Sequence, residues 1–193
     1  MPKVVDHEER RRRIAETLRR IAADEGLEAV SLGQVAAAAG ISKGQVQHYF
    51  PNKDAMLRYA VRTLRDQVER QVAAGTADAP PDLRTVLVAL LPLDEESRRE
   101  ALVANAFVWR AFKDDEIAAW FRTGYEQLRE ALAALVAAEH GLTGVDAARE
   151  ADLLLALTTG LADAVLLGHR TGAEAVELID VQLRRTGGLT SST

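Results

Sequence analysis

Apolar residues recur at three- and four-residue intervals along almost the whole chain, and no stretch sustains the two-residue alternation of a half-buried strand. That periodicity restricts the chain to an all-α fold. Reading start and stop signals along it predicts nine helices. The first spans about His7 to Glu25, with Ile14, Leu18, Ile21 and Ala22 as its apolar stripe and Gly26 as its stop. Ser31-Leu32-Gly33-Gln34 reads as a capping box opening a second helix to about Ala39. Gly40 then suits a left-handed turn, Ile41 plugs the angle, and Ser42 caps a third helix.

The second and third helices have the spacing of a helix-turn-helix: small Ala36 at the crossing, Gly40 in the turn, branched Val46 on the second helix. Within Ser42 to Lys53, SKGQVQHYFPNK, only Val46 and Phe50 are strongly apolar, and they fall four apart on one face. The rest are side chains that read base edges or hold phosphates. Gln45 and Gln47 are the candidates for base edges, since a carboxamide pairs bidentately with adenine. Ser31, Ser42, Lys43, His48, Tyr49 and Lys53 are candidates for the backbone, and Gly44 allows close approach. Pro51 breaks the chain, and Asn52 caps a fourth helix expected to reach about Ala74.

GTADAPPD, residues 75–82, is the one shift to small residues and proline. Domains are therefore expected at 1–52, with the helix-turn-helix, at 53–74 as a connecting helix, and at 75–187. Residues 188–193 are expected as a disordered tail, the loss of order beginning at Thr186. Five further helices are expected, near 83–91, 94–113, 115–140, 146–169 and 172–185. The charge divides at the same place: residues 1–74 carry 13 Lys+Arg against 10 Asp+Glu, and residues 75–193 carry 11 against 19. A basic head on an acidic remainder turns one end toward a polyanion.

Zero cysteines exclude disulfides and thiolate chemistry. No apolar run approaches a membrane span, and MPKVVDHEERRRR lacks the apolar core of a signal peptide, so a cytoplasmic protein without membrane contact is expected. The histidines at 7, 48, 140 and 169 have no metal-ligand spacing, and no nucleophile elbow or phosphate loop occurs. No metal, cofactor or catalytic residue is expected, and the chain reads as a non-enzyme.

These residues resemble the tetracycline-repressor (TetR) family of bacterial transcriptional regulators. The resemblance rests on the basic first helix, Ser31-Leu32, Ala36-Ala37-Ala38-Ala39-Gly40-Ile41-Ser42-Lys43-Gly44, and the ending His48-Tyr49-Phe50-Pro51-Asn52-Lys53. Leu90-Leu91-Pro92-Leu93-Asp94 and Gly160-Leu161-Ala162 resemble the ligand domain of the choline-responsive branch. Family members commonly have threonine and tyrosine where this chain has Gln45 and Gln47. The branch often has an Asp-Gly pair where this chain has Thr159-Gly160. The resemblance implies a homodimer whose first three helices bind a near-palindromic double-stranded operator and whose remainder binds a small-molecule effector that releases it. The alternative is an all-helical ligand-binding or protein-interaction module without specific DNA binding.

Two finer expectations concern the C-terminal part. Helix eight, LLLALTTGLADAVLLG, is apolar nearly all round and must be covered on more than one side. Ala156, Gly160 and Ala164 are assigned to close helix contact in a dimer, with Val176, Ile179 and Leu183 of helix nine beside them. Six of the nine aromatic residues fall within residues 107–125. Asn105, Trp109, Phe112, Trp120, Tyr125 and Asp163 are therefore candidates to receive an organic cation by cation–π contact and ion pairing. Packing into a plain core is the competing reading for the aromatics, and a structural ion pair, with Arg110 among the candidates, for Asp163.

Overall fold

The computed structural model describes residues 3–63 and 81–189, all of whose regular elements are helices. They are α1 (Lys3–Glu25), α2 (Leu32–Ala38), α3 (Lys43–Tyr49), α4 (Lys53–Arg62), α5 (Leu83–Ala89), α6 (Glu95–Ala111), α7 (Asp115–His140), α8 (Gly144–Leu166) and α9 (Gly172–Leu189). The chain forms two compact units: Met1–Gln67 with Leu102–Phe121, and Val68–Ala101 with Arg122–Thr193.

In the first unit the α1 stripe, Ile14, Leu18, Ile21 and Ala22, meets Val35 and Ala36 of α2, Val46 of α3 and Phe50. Met56, Leu57, Ala60 and Val61 of α4 continue this core to Val103, Phe107 and Ile117. Burying each large side chain contributes roughly 1.5–3 kcal/mol, so the core, not helix propensity, holds helices of seven residues such as α2 and α3. Gly40 turns the chain at φ +66°, where a side chain would be strained, and the Ile41 amide closes the turn on the Ala36 carbonyl at 3.0 Å.

Four ionic contacts tie α4 to the corner between α6 and α7. Arg58 donates to Asp114 at 3.2 Å and lies 3.3 Å from Glu116, Arg62 pairs with Glu116, and Arg110 donates to Asp54 at 2.8 Å. Asp114 also accepts the amides of Glu116 and Ile117, capping α7. Burial pushes the Asp114 carboxyl up, but the Ile117 amide and the Arg58 guanidinium outweigh it and hold it below the usual carboxylate range. Arg110 is thus engaged by Asp54. Where α4 was expected to reach Ala74, Thr63 ends it, its hydroxyl donating to the Ala60 carbonyl at 2.8 Å and accepting from Arg19. The remainder of that expected helix and residues 75–80 of the expected linker lie outside the described residues.

The second unit has its own core of Leu83, Leu87, Leu91, Leu132, Val136, Leu154, Leu161, Ala175 and Ile179. Arg84 of α5 donates to Asp180 of α9 at 2.6 Å, and Arg98 donates to the Leu166 carbonyl at the end of α8. The expected loss of order from Thr186 does not occur: α9 runs through Gly187 and Gly188 to Leu189. The reason is a buried polar lock. Thr186, fully buried, donates to Glu150 at 2.6 Å, and Gln182 donates to the same carboxylate oxygen at 3.2 Å. Gly187 packs against the His140 ring, so tertiary contact overrides two helix-weakening glycines.

Candidate nucleic-acid interface

The third helix presents two chemically distinct sides because its sequence alternates anchors with polar residues at helical spacing. Val46 is fully buried and Phe50 nearly so. Lys43, Gly44, Gln45, Gln47 and His48 are all exposed on the opposite side. Ser42 fixes the start of the helix, accepting the Gln45 amide at 3.1 Å while its own amide donates to the Gln45 side-chain oxygen at 2.9 Å. This reciprocal box satisfies two helix-end donors.

That box separates the two glutamines. Gln45 was expected to read a base edge bidentately, but its carboxamide oxygen already holds the Ser42 amide, which pins the side chain at the start of the helix and leaves that oxygen one lone pair beside the NH2. Gln47 forms no side-chain hydrogen bond among the described residues and keeps both halves of its carboxamide. The pattern serine, two residues, glutamine is the visible signal for this box, whereas the capping box expected from the same pattern at Ser31 forms only in half. There the serine accepts the Gln34 amide at 3.2 Å, but its hydroxyl donates to the Gln34 side-chain oxygen instead of the reciprocal backbone bond.

Lys53 departs most from expectation. Its ammonium donates to the Leu27 carbonyl at 2.9 Å and reaches the Glu28 carbonyl at 3.4 Å. Two of three donors are directed into the turn after α1, so the side chain ties α4 to that turn. Tyr49 is half-buried against the core, its ring 4.7 Å from His7 and 5.2 Å from His48. Arg11, from the basic run of α1, lies over Tyr59 at 4.3 Å and Phe50 at 5.1 Å instead of facing solvent. Tyr59 donates to Glu8 at 2.6 Å, and burial followed by that bond pushes its phenol up to about 12.

The residues expected to receive an organic cation are divided between the two units. Trp109 and Phe112 are 75% and 76% exposed with ring centroids 5.7 Å apart. Trp120 packs edge-on to Phe121 at 5.0 Å against the first core, and Asn105 is half-buried in the same unit. Tyr125 and Asp163 belong to the second unit, where the exposed Tyr125 hydroxyl donates to Asp152 at 3.0 Å and Asp163 lies on the exposed side of α8.

The profile of bacterial regulatory proteins of the tetR family matches residues 14–60, and that of the C-terminal part of BetI-type transcriptional repressors matches residues 79–188. The chain belongs to the TetR family. Members are transcriptional regulators and not enzymes, typically ligand-responsive DNA-binding repressors that act as dimers. Among relatives of this TetR-family chain, the HTH-type transcriptional regulator PksA of Bacillus subtilis is 32% identical over 166 residues, 84% of this chain and 81% of that protein. A BetI regulator of Rhizobium meliloti is 30% identical over 62% of this chain and 53% of that protein. A transcriptional regulator of Rhodococcus superposes with a TM-score of 0.81 at 33% identity, covering 91% and 95% of the two chains. A regulator of Saccharomonospora viridis, solved in complex with choline, gives 0.81 at 25% identity over 92% and 96%.

Within the BetI-type C-terminal region, α8 turns an unbroken stripe outward. Val145, Arg149, Leu153, Ala156, Gly160, Asp163 and Leu167 follow one another at intervals of three and four, and all are exposed. A Cβ added at Gly160 would meet nothing within 4 Å, so its smallness serves no contact among the described residues. Ala164 is half-buried. The α9 residues expected beside them face inward instead: Ile179 is fully buried in the second core, and Val176 and Leu183 pack against it. Leu178, 39% exposed, lies on the outer side of α9.

Proposed function

We propose that this protein is a dimeric repressor whose α3 helices enter successive major grooves of a near-palindromic operator, about one helical turn apart. The observation that carries the reading is the split of α3 into a sealed face, Val46 with Phe50, and a capped, wholly exposed polar face. Gln47 is the principal base reader, since it alone of the two glutamines has a free carboxamide to pair bidentately with adenine. Lys43, His48 and the Ser42 hydroxyl hold phosphates beside it, and Gly44 lets the backbone come close. Ser31 and Lys53 act through the scaffold, as their donors are directed inside the head.

The dimer forms through the α8 stripe, with Leu153, Ala156 and Gly160 in close helix contact. The effector is a small organic cation; the matched BetI-type region and the choline complex of the Saccharomonospora regulator support that chemical class. It releases DNA by binding more tightly to a conformation in which the two heads no longer match the operator. Two measurements test this. Selection from random duplexes should yield near-palindromes whose preference at one position relaxes in Gln47→Ala; unselective binding, or unchanged preference in the variant, refutes the assignment. Choline or a related quaternary ammonium should raise the melting temperature and lower operator affinity; a rise without release refutes the regulatory half.

A further inference from the structure

The start of α1 reaches the recognition helix through three rings. The His7 imidazole centroid lies 6.0 Å from that of His48 and 4.7 Å from the Tyr49 ring, while His48 and Tyr49 are 5.2 Å apart. Both imidazoles are exposed, and His48 belongs to the polar face of α3. His7 therefore extends that face sideways onto α1.

Among the described residues, the acidic groups of α1 nearest this pair are engaged elsewhere, and the exposed Lys43 of α3 adds a cation to the same face. On α1, Glu8 is held by the Tyr59 hydroxyl of α4 and Glu9 by Arg13 at 3.0 Å, so neither carboxylate is directed to the rings. Arg10 is exposed one turn beyond His7, and Arg11 lies over Phe50 and Tyr59. From α3 the neighbours are the neutral Gln47 and Tyr49. Two exposed rings 6.0 Å apart are close enough to face one phosphate together, and histidine is the side chain whose charge changes between about pH 5 and 8.

We propose that His7 and His48 form a proton-dependent phosphate clamp at the edge of the DNA-binding face, so that duplex binding takes up protons. The proposal rests on the DNA-binding reading of α3. Protonation lets each ring donate through both nitrogens to phosphate oxygens, adding charge-assisted bonds that reach any sequence. His7 is thereby a DNA-contact residue outside the helix-turn-helix.

A random-sequence 30-base-pair duplex, titrated by fluorescence anisotropy at pH 8 and pH 6 across a salt series, tests it. The wild type should bind about threefold to tenfold tighter at pH 6, with the plot of log K against log salt steeper by up to about 2, near 0.9 per added contact. His7→Gln with His48→Gln should abolish both differences, and His7→Phe, which keeps a ring on Tyr49, should remove about half. An equal pH effect in wild type and double variant, a flat wild type, or loss in His7→Gln restored by His7→Phe at both pH values would overturn the clamp and leave DNA binding standing. No salt-dependent duplex binding at either pH would overturn both.

Discussion

Asp114 couples three structural duties in one carboxylate, and its removal has a calculable cost. Its side chain is 4% exposed, accepts two amides at the start of α7, and faces Arg58, whose side chain is 39% exposed. An N-cap contributes about 1 kcal/mol, and a charge-assisted bond adds about 1–2 kcal/mol once discounted for the solvent around its partner. Asp114→Ala should therefore destabilise the first unit by about 2–3 kcal/mol. Asp114→Asn keeps a capping oxygen and loses only the charge, so it should cost about 1 kcal/mol. Both tryptophans, Trp109 and Trp120, lie in the first unit, so their fluorescence in urea reports on it selectively. With a slope of about 1–2 kcal/mol per molar, the midpoint should fall by about 1–3 M for alanine and about 0.5–1 M for asparagine. The folded carboxyl is held below its unfolded value, so its contribution is complete above the ordinary carboxylate range and disappears as pH falls through the folded value. The gap between wild type and Asp114→Asn should accordingly shrink from pH 7 to pH 3. Asparagine as costly as alanine, or a gap unchanged at pH 3, would refute this division between cap and charge.

Lys53→Met should lower the urea midpoint of the first unit by the equivalent of about 1–2 kcal/mol, through loss of the bonds to the Leu27 and Glu28 carbonyls. The salt dependence of DNA binding should be unchanged; a flatter dependence with unchanged stability would return Lys53 to the phosphates. Gly160→Leu should leave helicity intact, because nothing in the chain occupies that space, yet shift sedimentation from dimer to monomer and weaken operator binding with it. A Gly160→Leu dimer of unchanged affinity would remove the α8 stripe from the interface.

Much of the head could be read directly from the residues. Serine and asparagine caps at Ser31, Ser42 and Asn52 and the glycine turn at Gly40 act within a few positions of themselves, and all four lie where their local patterns place them. The apolar stripe of α1 likewise faces the core expected of it. The errors have a common character. Helix nine carries Val176, Ile179 and Leu183 at helical spacing, and periodicity identifies one apolar face without saying what covers it; the second core of the same chain does. Trp109 and Trp120 belong to one aromatic run, yet one is 75% exposed and the other packs inward, a difference that the run alone does not encode.

The helices and the turn geometry of the head follow from the residues alone, because each depends on residues three or four apart whose backbone groups must find partners locally. Tertiary structure decided what the polar side chains are free to do. Lys53 is withdrawn from solvent by carbonyls 25 and 26 residues away, Arg58 is committed to an aspartate 56 residues away, and α9 persists past its glycines because Thr186 meets a buried glutamate 36 residues back. Gln45 and Gln47, two positions apart and identical in chemistry, differ because one completes a cap and the other points away from it. Each donor hydrogen and each lone pair serves one partner, and where it is used depends on which distant elements the core has brought within about 3 Å of it.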